Sequence, residues 1–274
     1  MSNKVILVVL DGLTYKTAQQ CMGFLQGLTE QGKATLYKVQ SELPSMSRPL
    51  YEAILTGVSP ACSGIVHNNI TRNSNQHSVF SLARSAGLST AAAAYHWVSE
   101  LYNRSPYDAV RDRFTSDPEQ LIQNGIFYHQ DDYPDSHLYI DAEWLRRTHD
   151  PDFLLVHPMN IDDAGHKAGL NSANYRNAAR HSDVHLSEYL LQWMNSGYQI
   201  MVTADHGMNI DKTHGGTLEE EREVPLYVIG ECFSHNVEAV PRQLDLCGTV
   251  CELLGLFDHA KPISSQLLHN IHQS

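Results

Sequence analysis

The chain has 274 residues, 42% of them hydrophobic and 18% charged, with a formal net charge of −12. That length and apolar share are enough for one large or two small domains with a sizeable core. So acidic a surface disfavours a nucleic-acid duplex or an anionic membrane as partner, but not a small phosphate ester held by local cations.

In chain order, short apolar runs alternate with amphipathic segments. This is the pattern of βα units around a largely parallel central sheet with helices on both faces. KVILVVL predicts a strand over 4–10. Its apolar run is too short for a signal-peptide core or a membrane span, so a soluble, cytoplasmic protein is expected. A helix is predicted over 16–30 and a strand over 34–40, followed by "ELPSMSRPLYEAILTG" at 42–57. Helices are predicted over 49–56 and 77–86, and a strand over 89–94. Segment 96–133 has weak periodicity and many Tyr, Asp and Pro residues, and reads as an irregular insertion or small cap. A helix over 136–148, a strand over 152–157, a helix over 172–195, strands over 198–203 and 224–229, and helices over 241–255 and 263–271 complete the pattern. No Gly/Ser- or Pro-rich linker divides the chain, so 1–274 reads as one domain. The five scattered cysteines do not suggest a disulfide framework.

Chemistry-bearing residues stand where the strands stop. The first ends at Asp11-Gly12. The second runs into Ser41, Ser45 and Ser47. "FLLVHPMNI" leads to Asp162, with His166 one helical turn on. "YQIMVTA" ends at Asp205-His206-Gly207, and "HGG" begins at His214. In an open α/β sheet the carboxyl ends of the strands share one edge, and ligands bind there. Each piece has an ordinary reading alone: a turn for Asp-Gly, a helix cap for the serines. Their convergence argues for one site. Carboxylates together with neutral imidazoles suit zinc or manganese better than calcium or magnesium. Two such ions can clamp the attacking and leaving oxygens of a displacement at phosphorus. A serine beside them, at a helix N-terminus, is the natural nucleophile.

The ordered set of VLDG, a Ser before Pro with a TG-containing helix, D-x-x-x-H, ADHG, and HGG followed by VPL resembles the alkaline phosphatase superfamily. It is most similar to the type I phosphodiesterase/nucleotide pyrophosphatase branch, from residue 5 to about 230. "PSMSRPLYEAILTGVSPACSGIVHNN" resembles that branch's nucleophile segment. The resemblance implies a first divalent ion held by Asp11, Asp205, His206 and the Ser47 oxygen, and a second held by Asp162, His166 and His214. It implies Ser47 as nucleophile, with a phosphoseryl-type intermediate, and Asn68 as donor to a phosphoryl oxygen. Arg48 stands where the branch usually has an aromatic residue. It is a candidate for binding an anionic substituent, and a solvent-facing side chain is the alternative.

The activity implied is phosphodiester or pyrophosphate hydrolysis, with phosphomonoester or phosphonate hydrolysis and an inactive metal-binding relative as alternatives. A sulfatase motif starts at Ser47, but Tyr51 stands where its Arg belongs. His181 and His185 are one turn apart on the predicted 172–195 helix and read as flanking its apolar stripe. His67 adjoins Asn68, and Asp163 adjoins a predicted ligand.

Overall fold

The computed structural model describes residues 3–269. In chain order the elements are β1 (Lys4–Val9), α1 (Tyr15–Cys21), α2 (Gly23–Glu30), β2 (Ala34–Gln40), α3 (Ser47–Thr56), α4 (Pro60–Ser63), α5 (Val79–Ser85), β3 (Thr90–Tyr95), α6 (His96–Tyr102), α7 (Ala109–Asp112), β4 (Phe114–Ser116) and β5 (Asn124–Tyr128). There follow α8 (Asp135–His149), β6 (Phe153–Val156), α9 (Asn160–Ala168), α10 (Ala173–Asn195), β7 (Tyr198–Thr203), α11 (Glu219–Arg222), β8 (Glu223–Ile229) and α12 (Asp245–Leu253).

The eight strands form one sheet in the order β2-β8-β7-β1-β6-β3-β5-β4. The run from β7 to β5 is parallel throughout. At one edge β8 lies antiparallel to both β7 and β2, and at the other β4 lies antiparallel to β5. The largely parallel sheet expected is therefore a mixed one with a parallel centre. Central position explains β1's composition: Val5 to Val9 is wholly apolar and buried, as a strand covered on both faces requires. Two helix groups flank the sheet. In one, α1, α2, α8 and α10 pack together; in the other, α3, α5 and α12 do. Among the described residues no helix is long and apolar enough to cross a membrane.

Three expectations differ from what is seen. The helix over 16–30 breaks at Met22, because Asp183 on α10 accepts the N–H groups of Phe24 (2.7 Å) and Leu25 (3.1 Å) and so starts a new helix. Segment 96–133 is not an irregular insertion throughout. It contributes α6, β4 and β5, and β5 continues the parallel register on β3. The helix over 263–271 is absent from its described part. There Leu268 instead bridges Phe233, and the Leu267 carbonyl accepts the Ser234 N–H, while 270–271 lie outside the described residues.

One contact ties α8 to the loop edge. Asp135 Oδ1 accepts the Asn160 N–H (3.2 Å) and Asn160 Oδ1 accepts the Asp135 N–H (2.9 Å), which fixes the start of α9. Burial pushes the Asp135 carboxyl up to about 7, against two backbone hydrogen bonds that favour its charge. The folded protein therefore holds a proton that the unfolded chain releases near pH 4, and stability falls as pH rises from there to about 7. Asp135→Asn keeps the accepting oxygen and carries no charge. It should match the wild type at pH 4 and exceed it at pH 8, by on the order of 2–4 kcal/mol, in urea unfolding across that range.

Candidate active site

The strand ends do converge. Asp11 follows β1, Asp162 lies in the first turn of α9, and Asp205 and His206 follow β7. Two glycines let these segments lie so close. Gly12 has φ +75, and a Cβ there would sit 2.9 Å from the Cα, Cβ and Oδ1 of Asp162. A Cβ on Gly207 would lie 1.9 Å from the Glu220 carbonyl oxygen. The Gly12 N–H in turn donates to Asp205 Oδ1 (3.2 Å), and the His206 N–H to the same oxygen (2.9 Å).

The three imidazoles are oriented in one way. His166 Nδ1 meets the Lys212 carbonyl at 2.9 Å, His206 Nδ1 the Gly207 carbonyl at 2.8 Å, and His214 Nδ1 the Ser45 carbonyl at 2.7 Å. A carbonyl only accepts, so each Nδ1 carries a hydrogen, and each Nε2 offers a lone pair whenever its ring is neutral. All three Nε2 atoms face the acids. His206 Nε2 lies 3.4 Å from Asp11 Oδ1 and 3.2 Å from Asp205 Oδ2. His166 Nε2 is 3.3 Å from Asp162 Oδ2, His214 Nε2 is 3.6 Å from Asp162 Oδ1, and the two imidazole Nε2 atoms are 3.2 Å apart.

Ser47 is the first residue of α3, and its Oγ lies 2.9 Å from His206 Nε2. Met46 occupies the cap position and makes no side-chain cap bond, so Ser47 does not cap the helix. Ser45 fastens the adjoining loops. Its Oγ donates to the Gly216 carbonyl (2.8 Å) and accepts the Gly215 N–H (3.1 Å), holding the segment that carries His214. Ser41 is buried and its carbonyl accepts the Arg222 guanidinium. Asn68 Oδ1 accepts the Arg48 N–H (3.0 Å), which turns the amide so that its NH₂ remains to donate.

Arg48 itself is neither exposed nor open to an anion. Its guanidinium is 2.8 Å from Glu100 in a buried pair, donates to the Ile70 carbonyl, and lies 4.6 Å from the Trp97 ring centroid. Its positive charge is matched inside the wall. His67 is exposed and accepts the Asn69 N–H, and Asp163 pairs with Lys167. His185 lies by Glu188 and Tyr139, as part of α10's packing.

Two residues at the site were not picked out from the sequence. Tyr51, one turn after Ser47, donates its O–H to Asp11 Oδ2, and His157 Nε2 lies 2.9 Å from the same oxygen. His157 is the residue after β6. Its place at a strand end was the available signal.

The electrostatics are those of buried acids crowded together. Burial raises the Asp11 carboxyl, but the His157 hydrogen bond and the His206 and His157 rings outweigh it and hold it at about 2. Asp205 is pushed well up by burial and by the charges of Asp11 and Asp162, and Asp162 is raised by burial and by Asp11. His166 is raised to about 9 by its bond to Asp162, whereas burial lowers His206 and takes His214 down to about 4. Buried Asp11 Oδ1, Asp162 Oδ1 and Asp205 Oδ2 have no hydrogen-bond partner. Buried carboxyl oxygens without a partner, facing imidazole Nε2 atoms, are what a divalent ion satisfies. Asp11, Asp205 and His206 form one such group and Asp162, His206 and His214 another, and His166 Nε2 adjoins the second at Asp162 and His214. The residues fit divalent metal.

Residues 5–212 match the family model described as type I phosphodiesterase/nucleotide pyrophosphatase. The chain is 23% identical over 272 residues to the human GPI ethanolamine phosphate transferase 2, catalytic subunit. That alignment covers 93% of this chain and 26% of the relative, so the chain spans about a quarter of its length. Among solved structures, murine ectonucleotide pyrophosphatase/phosphodiesterase 5 superposes with a TM-score of 0.76 at 14% identity, covering 97% of this chain and 100% of that one. The C-terminal periplasmic domain of EcEptC from Escherichia coli, in complex with Zn, superposes with a TM-score of 0.66 at 14% identity, covering 93% and 82%. At such identity the two structures establish a shared fold, that of alkaline phosphatase-like enzymes.

Proposed function

The chain belongs to the type I phosphodiesterase/nucleotide pyrophosphatase family, and from that premise we propose that it cleaves phosphate diesters or pyrophosphates through Ser47, with two divalent ions, zinc or manganese, as cofactors. The observation that carries this is Ser47 Oγ beside His206 Nε2, within a ring of buried carboxylate oxygens that have no partner. Asp11, Asp205 and His206 would hold one ion with Ser47, and Asp162, His166 and His214 the other. When bound, such ions supply Lewis-acid polarisation of phosphoryl oxygens and lower the pKa of hydroxyl groups.

The chain's own residues do the rest. The N-terminus of α3 favours negative charge at Ser47 and on the phosphoryl oxygens beside it. Ser47 Oγ gives up its proton to solvent and bonds to phosphorus as the bond to the leaving oxygen breaks, and that oxygen departs with the electron pair and takes a proton from solvent. Asn68, with its oxygen fixed by the Arg48 N–H, donates its NH₂ to a non-bridging oxygen. A second oxygen nucleophile then displaces Ser47 and frees it. Because Arg48 is matched by Glu100, it adds no free positive charge for the extra negative charge of a monoester, which favours diesters.

A second reading concerns that second nucleophile. Similarity to a GPI ethanolamine phosphate transferase over 93% of the chain favours an alcohol acceptor over water, which makes the same site a phosphoester transferase. One assay separates these. The zinc- or manganese-loaded protein is given a bis(aryl) phosphate or an aryl phosphate, with and without an added primary alcohol. Diester turnover well above monoester turnover is expected, and the reverse preference overturns the diester reading. Capture of the phosphoryl group by the alcohol out of proportion to its concentration identifies a transferase.

A further inference from the structure

The carboxylate of Asp11 is gripped on one side only. Tyr51 O–H donates to Oδ2, and His157 Nε2 lies 2.9 Å from that same oxygen. The histidine's tautomer is fixed by a third group. The Tyr95 N–H donates to His157 Nδ1 (3.3 Å), so Nδ1 is an acceptor and the ring hydrogen sits on Nε2, aimed at Asp11. Tyr128 O–H, donating to the His157 carbonyl (2.7 Å), holds the backbone in place. Tyr51 and His157 also pack edge-to-face, with ring centroids 4.5 Å apart, so neither donor can swing away alone. Both donors are spent on Oδ2. Oδ1 of the same carboxylate is buried without a partner and faces His206 Nε2 at 3.4 Å.

We propose that Tyr51 and His157 are positioning residues that take up Asp11 Oδ2 and so leave Oδ1 as the one oxygen presented to a divalent cation. A carboxylate free to rotate could offer either oxygen or both. Two donors on one oxygen select a single orientation. The inference rests on the metal-dependent reading above and adds to it the residues that orient one of its ligands.

The test reads metal affinity directly, by competition between the purified full chain and a chromogenic zinc chelator. Tyr51→Phe keeps the ring against His157 and removes one donor. His157→Asn keeps an acceptor near the Tyr95 N–H but cannot reach Asp11, whereas His157→Gln places an amide N–H near the lost Nε2. Tyr51→Phe and His157→Asn should weaken zinc at one of the two sites about 10–100-fold, the range for losing an outer partner of a metal ligand, and His157→Gln should recover part of the loss. Tyr139→Phe serves as the control. It removes a buried hydroxyl contact to Ser182 away from the site and should leave zinc affinity unchanged. Tyr51→Phe and His157→Asn proteins that are folded by circular dichroism yet hold zinc as the wild type does overturn this inference alone. A wild type that takes up no metal overturns the metal-dependent reading and the inference together.

Discussion

Ser47→Ala is expected to lose diester turnover by a factor on the order of 10⁴ or more, with zinc still bound through Asp11, Asp205 and His206 and an unfolding midpoint close to the wild type's. The geometry gives the reason for both halves. Ser47 is the first residue of α3, but the cap position belongs to Met46, and the Ser47 hydroxyl points to His206 Nε2 and not to the helix backbone. Alanine suits a first helical turn, so little stability depends on the oxygen. The nucleophile of a two-step displacement has no substitute: without Oγ no covalent bond to phosphorus forms, and only orientation and charge stabilisation remain. Were Ser47 a cap, the opposite would be measured, with about 1 kcal/mol of stability lost and turnover kept. Measuring kcat on a bis(aryl) phosphate, zinc by elemental analysis and stability in urea on one preparation separates the two outcomes. Full turnover in Ser47→Ala removes this serine from the mechanism.

The parts of this molecule legible in the sequence are those whose cause is local. Each of β1, β6 and β7 is an apolar run that stops abruptly. The polar residues past each stop (Asp11, Asp162 a few positions on, Asp205-His206) are carried to one edge by the parallel topology alone. Features that were not legible have their cause far along the chain. The break at Met22 is made by Asp183, about 160 residues away. Arg48 reads as a free cation until Glu100, 52 residues on, is seen beside it. β4 is three residues long and is held as a strand by pairing with β5, with no periodicity of its own to betray it. Tyr51 and His157 escaped notice for another reason. A tyrosine on a buried helix and a histidine after a strand look like packing, and only the convergence of their donors on one oxygen of Asp11 sets them apart.

Asp205→Asn should move two measurements in opposite directions. In metal-free protein the Asp205 carboxyl is raised well above its ordinary range by burial and by the charges of Asp11 and Asp162. The folded state thus favours the protonated acid, and stability is lost as pH rises above the unfolded carboxyl's value near 4. Asparagine removes that cost at neutral pH and fits the contacts. Its oxygen can still accept the N–H groups of Gly12 and His206, and its NH₂, placed where Asp205 Oδ2 lies 3.2 Å from His206 Nε2, can donate to that nitrogen. The metal-free variant should therefore melt at a higher temperature than the metal-free wild type. Zinc reverses the order. A ligand that binds only the folded state stabilises it by about 2.7 kcal/mol at one hundred times its dissociation constant. The variant, with a neutral amide in place of an anionic ligand, should lose most of that gain, and more than the 10–100-fold in affinity typical of an outer partner. Paired melting curves with chelator and with zinc read both effects. A variant that is less stable without metal and equally stabilised by zinc would mean that Asp205 serves the fold and not the ion. The crossing of the two curves would identify a carboxylate kept, at a cost to the empty protein, for the charge it meets when the site is filled.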